Sequence, residues 1–277
     1  MPRHIPVGRF AAAAAIAVAL VLLVQRLQGP GWREVAPGVE FATLDGGAWC
    51  KRGSAALAVV RLDPERVRVR VRHYSRMPGR RPLDAVAWSR ATGAVAVFNA
   101  GQYYPDLSYM GLLVSDGVAL SKRPHGTFRA ALVADPVGGG RGARVLDLER
   151  HPLDPRHPGW REVAQSFMLV DETGAVRVRR SERVANRTAV AEDRHGRLVV
   201  VVSEGGYTLH EFARMLKALP IAVTHAMSMD GGNESQLVVR GPRFRYASFG
   251  RWERDGDEQA APTAATLLPT VIEVDPR

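Results

Sequence analysis

Cysteine is almost absent. Cys50 is the only one in 277 residues, which excludes an internal disulfide framework. No Cys/His set has the spacing of a zinc site. A lone thiol of this kind reads as a small, half-buried hydrophobe. Aromatic residues make up only 7% of the chain, and none interleaves with the arginines of "ERVRVRVRHYS". The stacking platform that single-stranded nucleic acid uses is therefore missing, and no nucleic-acid partner is expected. The glycine-rich "PVGGGRGAR" lacks the P-loop lysine with its following Ser/Thr and the ordering of a dinucleotide fingerprint, so it reads as an exposed turn. There is no internal repeat and no coiled coil. Long uncharged apolar runs are scarce, the exception being Phe10 to Val24.

That run follows a basic head containing Arg3, His4 and Arg9. A positive head before an apolar stretch is an export signal. The apolar stretch is shorter than the roughly 20 residues of a comfortable membrane helix. No small-x-small cleavage site follows; "QRLQGPGW" stands there instead. The reading is an anchor over residues 1–28, with a cleaved signal peptide as the alternative. The head stays cytoplasmic and the body crosses the membrane. The protein is then exported, held at the inner membrane facing the periplasm, or secreted if the segment is removed.

Net charge is +10, from 38 Lys and Arg against 28 Asp and Glu. A basic balance points to an anionic partner; ordinary surface solubility is the competing explanation. Residues 29–93 read as a linker and N-terminal strands, and 94–277 as the main domain. Val67, Val69 and Val71 alternate with Arg66, Arg68, Arg70 and Arg72, the period of a half-buried strand with a solvated arginine face. "PLDAVAWSRATG" has helical spacing up to Gly93. "GLLVSDGVAL" predicts a hairpin about Asp116-Gly117.

The second half carries the chemistry. "GRLVVVVS" predicts a buried strand ending at Ser203-Glu204. Thr208 with Glu211 three residues on forms a capping box. Leu209, Phe212, Leu216 and Leu219 give the following helix an apolar face, and Pro220 stops it. "IAVTHAMSM" is the next strand, ending at Asp230-Gly231-Gly232. Strand, helix and strand predict a parallel pair in a mixed α/β sheet, with both carboxyl ends on one edge. Ligands bind at that edge in open α/β sheets. Glu204 and Asp230 therefore become paired carboxylates, the equipment of glycosidic hydrolysis. Each is followed by two glycines that allow a tight turn. Arg187, in "ANRTAV", can grip a phosphate with two parallel bonds.

At these residues the chain resembles the phosphodiester glycosidase family. "FNAGQYYPDLSYMGLLVSDG", "AQSFMLVDETG", "NRTAVAEDRHGRLVVVVSEGGYTLHEFARML" and "AMSMDGGNESQLVV" resemble four family segments in the family's order, from about Val95 to Val239. The resemblance implies an extracytoplasmic hydrolase of a sugar phosphodiester or related glycosidic bond, with cell-envelope polysaccharide metabolism as the expected setting. It implies Asp230 and Glu204 as the reacting acids. It also implies Asn99, Gly101, Gln165, Ser166, Arg187, Gly231, Gly232 and Asn233 as substrate-binding residues. Three differences stand out: Asn233-Glu234 replaces serine, Gln102 replaces an apolar residue, and Phe167 stands in place of Gly-Pro. A glycan-binding protein without catalysis and a phosphoesterase cutting P–O bonds are the alternatives. No cofactor is implied, and a divalent cation is not assigned. His125 is a further candidate phosphate contact.

Overall fold

The computed structural model describes residues 31–140, 142–252 and 266–277. The anticipated anchor, residues 1–28, lies outside them. Among the described residues no helix is long and apolar enough to cross a membrane. Trp32 to Arg277 forms one compact unit.

Among the described residues three large sheets and one two-stranded ladder, Val184–Ala185 with Tyr207–Thr208, build this unit. The seven-stranded sheet runs, in spatial order, Arg33–Ala36, Val39–Asp45, Ala56–Leu62, Leu198–Ser203, Thr188–Asp193, Val223–Ser228 and Met168–Val170. A five-stranded sheet contains Phe244–Phe249, Gln236–Gly241, Ala96–Asn99, Thr270–Pro276 and Val67–His73. A second contains Val118–Ser121, Leu113–Ser115, Trp160–Ser166, Ala130–Pro136 and Ala143–Asp147. All three turn apolar side chains into one core, with Val200 and Val202 from the first, Val69, Val71 and Ile272 from the second, and Leu132 and Val145 from the third.

The outer face of the seven-stranded sheet is covered by helix α2, Leu209–Ala218, once helix α1, Ala85–Thr92, has been placed on the five-stranded sheet that carries Val97 and Val271. Phe212, Ala213, Met215 and Leu216 of α2 pack on Val199 and Val201. Burial of each large side chain contributes about 1.5–3 kcal/mol. The Leu198–Ser203 strand is thus apolar on both faces, which is why its sequence runs as consecutive valines. Thr208 caps α2 by accepting from Glu211 N at 3.2 Å, and its own hydroxyl donates to Glu211 Oε2 at 2.8 Å. Asp84 caps α1 through Ala87 N at 2.8 Å, and Gly93 closes it at φ 83°. The Asp116-Gly117 hairpin forms with both φ angles positive, at 49° and 75°.

Among the described residues 45% are strand and 12% helix, so the sheets dominate and helices serve as covers. One topological expectation needs correction. The strands on either side of α2 are not hydrogen-bonded neighbours. Thr188–Asp193 lies between them and pairs antiparallel with each. The two flanking strands still point the same way, but every ladder between named strands is antiparallel. The physical reason lies in the tight hairpin through "DRHGR", which pairs Thr188–Asp193 with Leu198–Ser203 before α2 begins. The crossover helix must then step over an occupied position.

Candidate active site

The interposed strand changes what stands at the sheet edge. Arg187, just before Thr188, sits between the two strand ends. Its N–H donates to Ser203 Oγ at 2.8 Å, and Ser203 N–H donates to Arg187 O at 2.9 Å. On the other side Met229 N–H donates to Thr188 O at 2.8 Å. Glu204 and Asp230 thus flank the arginine on one edge. Their strands are two inter-strand spacings apart, about 9.6 Å at the backbone.

Asp230 sits where two sheets meet. Its N–H donates to Ala100 O at 3.0 Å, and its Oδ1 accepts from Gly231 N–H at 2.9 Å. Gly231 is required by close approach. A Cβ there would lie 2.7 Å from Asn186 O and 3.4 Å from Arg187 Nη1. The lack of a side chain therefore lets the Asp230 loop lie against the guanidinium. Gly232 adopts φ 69°, in the left-handed region, and begins the turn through Glu234.

The Arg187 guanidinium is locked. Nε donates to Tyr207 O at 2.9 Å and Nη2 to Arg183 O at 2.8 Å. Those carbonyls flank the short Val184–Ala185/Tyr207–Thr208 ladder. Burial pulls its pKa down to about 10, the Arg183 charge pulls the same way, and the Asp230 charge opposes both. Arg187 remains a cation at neutral pH. Tyr109 is the buried neighbour. Its hydroxyl donates to Gln165 O at 2.9 Å and accepts from Gly101 N–H at 3.2 Å. Burial raises its pKa far above the ordinary tyrosine value, and the Asp230 charge adds to the rise.

Asn99 and Gln165 do not offer free amides to a sugar. Asn99 is 1% exposed. Its Nδ2 donates to Asp230 O at 2.9 Å and Ala100 O at 3.1 Å, and its Oδ1 accepts from Thr188 Oγ1 at 2.8 Å and Gln236 N–H at 3.2 Å. Gln165 Oε1 accepts from Leu112 N–H and His125 N–H, both at 2.9 Å, while Nε2 donates to Phe128 O at 2.9 Å and His125 O at 3.3 Å. Each amide has two donor hydrogens and two acceptor sites, and all are taken. Asn99 fixes the Asp230 backbone, and Gln165 fixes two loops. Ser166 is fully buried, with Oγ donating to Gln102 Oε1 at 3.3 Å. A Cβ on Gly101 would stand 2.5 Å from the Tyr109 hydroxyl.

Asn233 lies in the turn after Asp230, its carbonyl accepting from Gln236 Nε2 at 3.4 Å. Glu234 Oε1 accepts from the Tyr103 hydroxyl at 3.1 Å. The Ser235 hydroxyl is buried against Thr188 Oγ1 at 2.8 Å. Glu204 has different company. Its Oε1 accepts from the Tyr246 hydroxyl at 2.7 Å, and it lines a cavity of about 300 Å³ with Ser54, Ser248, Arg251 and Trp252. His125 holds Thr127 Oγ1 at 3.0 Å through Nδ1. Among the described residues no group of three or more His, Cys, Asp or Glu converges as a metal centre.

Residues 92–268, more than half of the chain, match the phosphodiester glycosidase family. The chain belongs to that family. It is a glycosidase-type hydrolase by that membership, and every candidate site residue from Asn99 to Asn233 falls inside the matched span. Solved structures share the fold of this phosphodiester glycosidase. The catalytic domain of zebrafish N-acetylglucosamine-1-phosphodiester α-N-acetylglucosaminidase, auto-inhibited by its pro-peptide, is 16% identical with a TM-score of 0.59, covering 88% of this chain and 85% of that one. A hypothetical protein from Synechocystis is 13% identical at a TM-score of 0.60, over 88% of this chain and 64% of that one. A candidate exported protein from Burkholderia pseudomallei is 13% identical at 0.50, over 80% and 74%. No curated protein matches the chain.

Sequence reasoning missed Tyr109, Tyr246 and Asn186. Asn186 is a hub: Nδ2 donates to Ser203 O at 2.8 Å, and Oδ1 accepts from Arg251 and Trp252 N–H at 2.8 and 2.7 Å. Its place beside Arg187 in "ANR" was the available clue, and no spacing rule reads it.

Proposed function

We propose that the chain hydrolyses a sugar phosphodiester outside the cytoplasm, breaking the bond between the anomeric carbon and the phosphate oxygen. Asp230 is the reacting carboxylate and Arg187 holds the phosphate. The carboxylate attacks the anomeric carbon or draws a proton from an attacking water, and the bonding pair leaves with the phosphate oxygen. A phosphate is a good leaving group that needs little proton donation. One carboxylate and one fixed guanidinium are therefore a sufficient set. The observation that carries this reading is the seating of the Asp230-Gly231 turn against the guanidinium, with the Asp230 charge acting on Arg187. Glu204 is the second carboxylate on the same edge, and its Tyr246 contact holds it in a separate corner. Export is supported by the basic head and apolar run at Arg3 to Val24, and by the kinship in fold to a candidate exported protein.

Hydrolysis in isotope-labelled water is the test. Label on the released sugar is the expected result. Label on phosphate would replace this reading by P–O cleavage, and binding of the phosphodiester with no release would replace it by a glycan-binding role.

A further inference from the structure

A second cavity of about 530 Å³ opens beside the Arg187 corner, within the roughly 300–1,000 Å³ of small-molecule sites. Val184 and Thr208 line it, and they belong to the ladder whose neighbouring carbonyls, Arg183 O and Tyr207 O, clamp the guanidinium. The clamp and the cavity therefore share one wall. Lys51, Arg52, Arg180 and Arg214 bring four cations to it, against the carboxylates of Glu182 and Glu211. Glu211 is already paired with Lys51 at 2.7 Å. Arg214 lies over the Trp49 ring, 4.9 Å from its centroid, and Arg180 is exposed. Neither has a carboxylate partner among the described residues. The segment that forms one side also exposes Arg179 and Arg183. The surplus of positive charge thus lines a cleft that shares a wall with the candidate phosphate clamp, where it favours an anion.

We propose that this cleft is a distal subsite that takes a second anionic group on the same substrate, so that the preferred substrate is a polyanionic glycan with repeated phosphate or carboxylate groups. This inference rests on the phosphodiester reading for the position of the first phosphate. Arg187 holds the phosphate at the bond to be cut, and Arg180 with Arg214 holds the next anion along the chain. A short ionic reach matters here, because the Debye length is only about 8 Å at physiological salt. Affinity for the longer substrate therefore falls with added salt more steeply than affinity for the shorter one.

The test compares one-unit and four-unit sugar-phosphodiester oligomers on the full chain. In Arg180→Gln/Arg214→Gln, KM for the four-unit substrate is expected to rise about tenfold more than KM for the one-unit substrate. The charge-preserving Arg180→Lys/Arg214→Lys is expected to recover most of that difference. Equal changes for both lengths, or no change for either, would overturn the subsite. Calorimetric titration of the same oligomers into Asp230→Asn reads binding without turnover. If no oligomer is cleaved but length-dependent binding persists and is lost in the double Gln variant, the hydrolase reading fails and the subsite stands. Length-independent binding there ends the subsite even if hydrolysis is real.

Discussion

Asp230 and Glu204 are alike in sequence and unlike in structure. Both follow a buried strand, both precede two glycines, and both strands point to one edge. The Asp230 charge acts on a locked guanidinium and on a buried phenol. Glu204 accepts one hydrogen bond from Tyr246 and faces another cavity. The difference comes from the strand between them and from the Asn186–Trp252 contact, which brings residues 250–252 beside Glu204. A carboxylate's chemistry is set by which neighbours the fold supplies, and equal strand-end positions do not supply equal neighbours.

Four measurements break or sharpen that contrast. The largest effect is expected for Asp230→Asn: turnover falls at least about a hundredfold, as loss of a reacting acid or base does, with an unchanged circular dichroism spectrum. Near-normal rates would remove Asp230 from the chemistry. Next comes Arg187→Lys. One ammonium cannot hold the Tyr207 and Arg183 carbonyls and also present a fork to phosphate, so kcat/KM on phosphodiesters is expected to fall by about a hundredfold. A neutral glycoside should lose far less, and equal losses would argue against phosphate recognition. Glu204→Gln keeps a partner for Tyr246 and is expected to lower turnover by less than about tenfold. A loss matching that of Asp230→Asn would restore a two-acid mechanism.

The fourth effect is on stability, not turnover, and lies outside the edge. Glu162 is buried, accepting from Val71 N–H at 2.9 Å and Asp116 N–H at 3.1 Å. Burial, opposed by those bonds and by Arg72, raises its pKa to about 7. The folded protein then binds more protons than the unfolded chain between about 4.5 and 7. Stability accordingly falls as pH rises through that window, by at most about 3 kcal/mol. Denaturation midpoints at pH 5 and pH 8 should differ in the parent and converge in Glu162→Gln. An unchanged pH slope in that variant would place the titration elsewhere. A midpoint near 7 that vanishes with Glu162 would also show that it does not belong to Asp230.

Much of the architecture was legible in the chain. Alternation at Val67, Val69 and Val71 put valines inward, because side chains on a strand have period two. Gly93 ended α1 and Thr208 began α2, because orphan backbone groups at helix ends need partners. The four family-like segments all fall within the span that matches the family. The internal hydrogen bonds of the Asn99 and Gln165 amides were not legible. Whether an amide faces a ligand or a backbone depends on loops 53 and 37 residues away in sequence, at Leu112 and Phe128 for Gln165. Local pattern carries no information on such partners.

By itself the sequence determined the family, the strand and helix periods and the acid–glycine–glycine turn, since these depend on residues near one another along the chain. Only the tertiary structure decided that Thr188–Asp193 separates the two acid-bearing strands, that Arg187 is clamped by Tyr207 and Arg183, and that Glu204 turns to Tyr246. Those outcomes depend on which strand pairs first and which backbone groups remain to be satisfied, and both are settled by packing across the whole molecule.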